Sequence, residues 1–178
     1  MSTQTTNLGL TKPSPGHTSW SAAVNQNWDT LDSMAYVSTC ISWNLLTGQP
    51  DTIGQGTWTR VQSSDRLYCG EFRNPTVDDG DNFTCKFRCP AGTYTLRFHA
   101  GKNTDGGIVK VYLDGSQIGA SSGYDTYSSP KNVMNVEEIT GLAIDAGEHS
   151  LQFILDGTNP SSGLYRFRTS GIWLQRTA

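Results

Sequence analysis

From Thr93 to Ala100 the sequence alternates without a break: Tyr94, Leu96 and Phe98 hold one parity, while Thr95, Arg97 and His99 hold the other. Successive side chains of an extended chain point to opposite faces, so this stretch buries one face and wets the other only as a β-strand. Leu151, Phe153 and Leu155 repeat the pattern near the C-terminus. Asp114-Gly115, set between residues 109–113 and the segment 117–119, marks a tight hairpin. Pro90-Ala91-Gly92, Asp105-Gly106-Gly107 and Asp145-Ala146-Gly147 add turns at the spacing of an antiparallel sandwich or jelly roll. The strand candidates are 41–46, 57–61, 67–72, 82–88, 93–100, 108–113, 133–144 with a break at Gly141, 149–155 and 163–176.

A chain of 178 residues with 19 glycines and 16% charged residues suits one such domain plus a short appendage. The boundary falls near residue 40. Residues 1–18 are polar and punctuated by Pro13, Pro15 and Gly16, which predicts an extended arm that must lie on another surface. Trp20, Val24, Trp28, Leu31 and Ala35 then recur along one stripe of a helix, with Thr18 or Ser19 as its N-cap. That stripe can pack on the following sandwich, on a symmetry mate or on a different protein. The expected fold is all-β, an antiparallel jelly-roll β-sandwich over 40–178, preceded by the arm and one short helix over 1–39.

The net charge of -3, with no run of Lys or Arg, lacks the electrostatic footprint of a nucleic-acid binder. The N-terminus has neither the basic nor the apolar region of a secretory signal, and no stretch nears the roughly 20 apolar residues needed to span a bilayer. The sequence therefore predicts a soluble protein that folds in a cytoplasm. In that setting Cys40, Cys69, Cys85 and Cys89 read as free thiols, although a cross-strand bridge from Cys69 to Cys85 or Cys89 stays open. Cys85 and Cys89 sit about 13 Å apart along one strand, too far to bridge each other.

No nucleophile elbow, zinc-protease pair or phosphate loop occurs, and the three histidines, His17, His99 and His149, belong to no catalytic pattern. No enzyme activity, metal or cofactor is expected. Asp78-Asp79-Gly80-Asp81 reads as a solvated turn rather than a calcium loop. The Gly- and Ser-rich connections 119–132 and 156–163 are expected to be long loops at the ends of the sandwich. In the first of them Tyr124 and Tyr127 stand among small polar residues, suited either to stacking on a sugar ring beside Asp125 or to anchoring the loop. Trp43, Trp58 and Trp173 lie in strand candidates and are expected in the core or an interface.

The segment Thr6-Asn7-Leu8-Gly9-Leu10-Thr11-Lys12-Pro13, followed by Gly16, Trp20, Asn25, Asn27-Trp28 and Leu31-Asp32, resembles a leader found on structural proteins of tailed bacteriophages. The likeness covers about the first 35 residues, with Ser21 where that leader more often has Gly. Gly92-Thr93-Tyr94, Val111-Tyr112-Leu113-Asp114-Gly115, Ala146-Gly147-Glu148-His149 and Gly171-Ile172-Trp173-Leu174 look like the jelly rolls of carbohydrate-binding modules and phage decorations. The resemblance implies a virion protein assembled in the host cytoplasm. It docks on capsid or tail proteins through Asn7, Leu8, Leu10, Lys12, Pro13, Trp20, Asn25, Asn27, Trp28 and Leu31, and it forms a homo-oligomer, commonly a trimer. It displays its sandwich either as decoration or as an adhesin for a host surface glycan.

Overall fold

The computed structural model describes residues 3–4, 11–12, 40–45, 48–61, 71–74, 78–130 and 134–177. The stripe of residues 20–35 expected to be helical, and the docking residues other than Lys12, lie outside them. Thr3–Gln4 (β1) pairs antiparallel with Thr11–Lys12 (β2), in the register Thr3 to Lys12. In this pairing the backbone donors and acceptors of the two segments meet, and the rest of the expected extended arm lies outside the described residues.

The sandwich strands run from Cys40 to Arg176. One sheet has four strands, in the order Met134–Ile144 (β12), Gly92–Gly101 (β8), Gly171–Arg176 (β15) and Cys40–Asn44 (β3). The other holds Ser116–Ile118 (β10), Gly107–Leu113 (β9), Gly147–Thr158 (β13), Asn82–Cys89 (β7) and Thr52–Gln55 (β4), with Tyr124–Asp125 (β11) also paired to β9. Arg168–Thr169 (β14), Glu71–Arg73 (β6) and Thr59–Val61 (β5) make a third, short sheet. Every strand pairing is antiparallel, and the architecture is an all-β jelly-roll sandwich.

The alternation read in the sequence decides what fills the space between the sheets. Tyr94, Leu96, Phe98 and Ala100 of β8 are fully buried, and Phe83, Cys85, Leu151, Phe153, Leu155, Val109 and Val111 face them from the second sheet. Phe98 meets Phe153 edge to face at 5.2 Å, and Phe83 stacks on Phe153 at 5.1 Å. Trp58 adds its ring beside Phe72 and Phe83, so its expected core position holds. The Asp114-Gly115 hairpin forms as read: Leu113 pairs with Ser116, and both turn residues have positive φ, 49° and 80°, as a type I′ turn demands.

Two expectations need correction. The candidate strand 163–176 begins only at Arg168 and is broken at Ser170, where the chain leaves the short sheet for the four-stranded one and Leu45 N donates to Ser170 O. The turn 78–81 is not solvated throughout, because Asp81 is fully buried and its Oδ2 accepts from Asn74 Nδ2 at 2.8 Å. Asn74 also caps the backbone of Tyr165 and Phe167, which binds this turn to the far end of the chain. Cys85 and Cys89 are free, as read, and buried, so the bridge to Cys69 left open for either does not form.

Burial and the nearby Asp51 carboxylate push the Cys85 thiol up to about 12. A thiol that resists ionisation is a poor nucleophile. Native protein at pH 8 should therefore leave Cys85 unmodified by iodoacetamide, and denaturant should make it react; mass spectrometry of the peptide carrying it checks this.

Candidate functional site

The loop expected to carry the site is packed down rather than projecting. Tyr124 pairs with Val109 in β11, its ring meets Phe98 edge to face at 5.2 Å, and its hydroxyl accepts from Ala120 N at 3.4 Å. Asp125 is engaged within the same end of the sandwich: Oδ1 accepts from Tyr127 N at 2.8 Å and Oδ2 from Asn159 Nδ2 at 2.5 Å. Tyr127 is half-buried, and its neighbour Thr126 donates its hydroxyl to Gly107 O at 2.7 Å. The structure thus brings Tyr124, Asp125 and Tyr127 together, with Tyr124 and Asp125 tied into the scaffold.

Below this loop, Asp105 Oδ2 receives Arg166 Nη1 at 2.6 Å and Arg168 Nη2 at 2.7 Å, with Arg168 almost fully buried. Burial pulls the Asp105 pKa upward, but the hydrogen bond and charge of Arg168 and the charge of Arg166 outweigh it and hold the carboxyl below its ordinary value.

The opposite kind of surface lies on the outer face of the four-stranded sheet. Ile172 and Leu174 of β15 face the core, so Gly171, Trp173 and Gln175 must face outward. The register then lays out rows across the sheet. Glu138, Arg97, Trp173 and Ser42 form one row, and one step along, past the Ile172–Phe98 pair, Val136 paired with His99 and Gly171 paired with Asn44 line up as the second. Gly171 leaves a gap in the second row. A cleft of about 340 Å³ opens there, lined by Ser42, Asn44, His99, Ser170, Gly171 and Trp173 together with Trp43.

Two neighbours fix the geometry of that cleft. The His99 ring stands edge to face against the Trp173 indole at 4.5 Å, and its Nδ1 is hydrogen-bonded to Ser170 Oγ. Burial holds the His99 pKa below its ordinary value, which leaves the imidazole neutral at pH 7. Trp173 is half-buried and lies outside the core cluster, whereas its strand neighbours Ile172 and Leu174 belong to it. Of the two places expected for Trp173, the core is therefore ruled out, while Trp43 does turn inward, edge to face with Phe87 at 5.7 Å. An indole wall with hydroxyl, amide and imidazole groups at its rim can stack an apolar ring face and exchange hydrogen bonds with hydroxyls. Sequence reading missed this site, although the parity of Ile172 and Leu174 already carried the signal.

His149 has a different task. Its Nδ1 meets Asp114 Oδ2 at 2.7 Å and its Nε2 meets Asp145 O at 2.9 Å, which joins two turns at the other end of the sheets. Among the described residues no group of three or more His, Cys, Asp or Glu could hold a metal ion.

No protein-family model matches the chain, and no curated protein matches it in sequence. Solved structures do resemble its fold. The CBM36-1 domain of a multidomain xylanase from the hindgut metagenome of Trinervitermes trinervoides aligns with a TM-score of 0.57 at 11% identity, over 79% of this chain and 98% of that one. A family 35 carbohydrate binding module from Clostridium thermocellum gives 0.52 at 17% identity, over 76% and 98%. A Paenibacillus xanthan lyase gives 0.58 at 16% identity over 69% of this chain, which spans only 12% of the lyase. What these likenesses share with the chain is the fold, a jelly-roll β-sandwich.

The Asp105 cluster generates a pH prediction. Because the folded pKa lies below the ordinary 3.8, its stabilisation is complete above that value and is lost as pH falls through the folded pKa. The melting temperature should drop on acidification below about pH 4. Asp105→Asn should melt lower at pH 7 and show a shallower fall in acid, as read by circular dichroism.

Proposed function

We propose that this chain is a non-catalytic structural protein of a tailed-phage particle that docks by its N-terminal segment and displays a glycan-recognising β-sandwich. The observation that carries the recognition half is the Trp173 indole beside neutral His99 in an open cleft, on a sandwich of the carbohydrate-binding-module class. The leader resemblance supports the docking half. Asn7, Leu8, Leu10, Lys12, Pro13, Trp20, Asn25, Asn27, Trp28 and Leu31 are its contacts with capsid or tail proteins, and the particle carries the protein as a homo-oligomer of threefold order. Aromatic stacking on a sugar needs no catalytic group, and fold alone does not supply one. Plain decoration of the particle is the second reading, favoured at the loop end because Tyr124 and Asp125 are tied into the scaffold there.

Deleting residues 1–35 should leave a folded β domain by circular dichroism that is missing from purified particles by mass spectrometry. Incorporation at the normal level would remove the docking role. On a glycan array the full chain should bind, and Trp173→Ala should lose about tenfold or more in affinity, while Tyr124→Ala and Tyr127→Ala should lose less. An array with no signal leaves decoration as the function.

A further inference from the structure

The cleft over Gly171 has a chemistry narrow enough to name the kind of sugar it takes. None of the residues lining it carries a carboxylate, ammonium or guanidinium group. In the next row Arg97 Nε and Glu138 Oε2 close on each other at 2.5 Å, and Gln175 Oε1 accepts from Arg97 Nη1 at 3.1 Å. A carboxylated or sulfated sugar entering here would lose water without meeting a counter-charge. A neutral pyranose instead offers a C–H face to the indole and hydroxyls to Ser42, Asn44, Ser170 and His99.

Gly171 sets the room. It is not among the glycines with positive φ, so the backbone there would accept any side chain. A Cβ at this position would lie 3.3 Å from Trp173 Cζ2 and Cη2 and 3.4 Å from Trp43 O. The missing side chain, not the backbone, is what keeps the cleft open. Its volume of about 340 Å³ lies at the lower end of the roughly 300–1,000 Å³ that small-molecule sites occupy, which suits one ring rather than a chain of them.

We propose, resting on the glycan reading above, that this cleft takes a single uncharged pyranose, the terminal residue of a glycan, and that Gly171 is its specificity-determining position. The test is titration of the full chain with methyl glycosides of glucose, galactose and mannose, and with methyl glucuronide and a methyl sialoside, followed by tryptophan fluorescence and calorimetry. At least one neutral glycoside should bind, and the charged ones should bind about tenfold more weakly or worse. Gly171→Ala and Gly171→Val should weaken the neutral glycoside stepwise, about tenfold for Val, with unchanged circular dichroism, since a β-branched residue suits a strand.

Equal or tighter binding of a charged glycoside overturns the proposal, as does unchanged affinity in the Gly171 variants. Should the Val variant fail to fold, the Ala variant and Trp173→Ala carry the same decision. Array binding that none of these variants disturbs would overturn this site while leaving glycan recognition in place. Absence of all sugar binding would remove both.

Discussion

The parity of β8 is the constraint on which both surfaces of this sandwich depend. Four of its side chains, Tyr94, Leu96, Phe98 and Ala100, fill the interior with no exposure at all. A slip of one residue in its pairing would turn that set to solvent and bring Arg97 and His99 inside, so the register with β12 and β15 is held against a large loss of apolar burial. Phe98 carries the constraint further, because it touches Phe153, Phe167 and Tyr124 and so joins the two sheets and the packed loop. Once these rings are in place, the outward rows of the four-stranded sheet have no freedom left in where they stand.

Much of this was legible in the residues, and the reasons for success and failure are physical. Strands with one buried face write their period into the sequence, which is why β8 and β13 and the Asp114-Gly115 hairpin were readable. All four residues of β4 are exposed, and an edge strand without a buried face leaves no alternation to read. β11 has only two residues, too few to show a period, so Tyr124 looked like a loop residue when it is a prop beneath the loop. Asp81 sits in an acidic, Gly-containing stretch that resembles a wet turn; its burial depends on Asn74 and the distant backbone of residues 165–167, a tertiary fact no local pattern records.

The candidate site was half legible. Tyr124, Asp125 and Tyr127 attracted notice as aromatics among polar residues, yet two of the three serve the scaffold. Trp173 lies in a strand candidate, which alone leaves core and interface open, whereas Ile172 and Leu174 on either side take the core and fix it to the outer face. A site built across paired strands is also stiffer than one built on loops, since each wall is held by ladder hydrogen bonds and the spacing between walls is the spacing of the sheet. Rigid walls of this kind reduce the ordering cost of holding a ligand.

The margin of the four-stranded sheet carries its own consequence. Among the described residues the 11-residue strand β12 pairs with β8 alone, and its register shifts between Ile139 and Leu142, around Gly141 at φ 70°. Such an irregularity kinks the outer side of the strand, and the Glu137–Lys102 and Glu138–Arg97 ion pairs place charged groups along it. Copies of this domain held shoulder to shoulder at high local density would find no flat, neutral ribbon to zip onto. A bent margin carrying charged pairs is a poor template for a further strand, so the sheet's long edge resists fibril-like stacking.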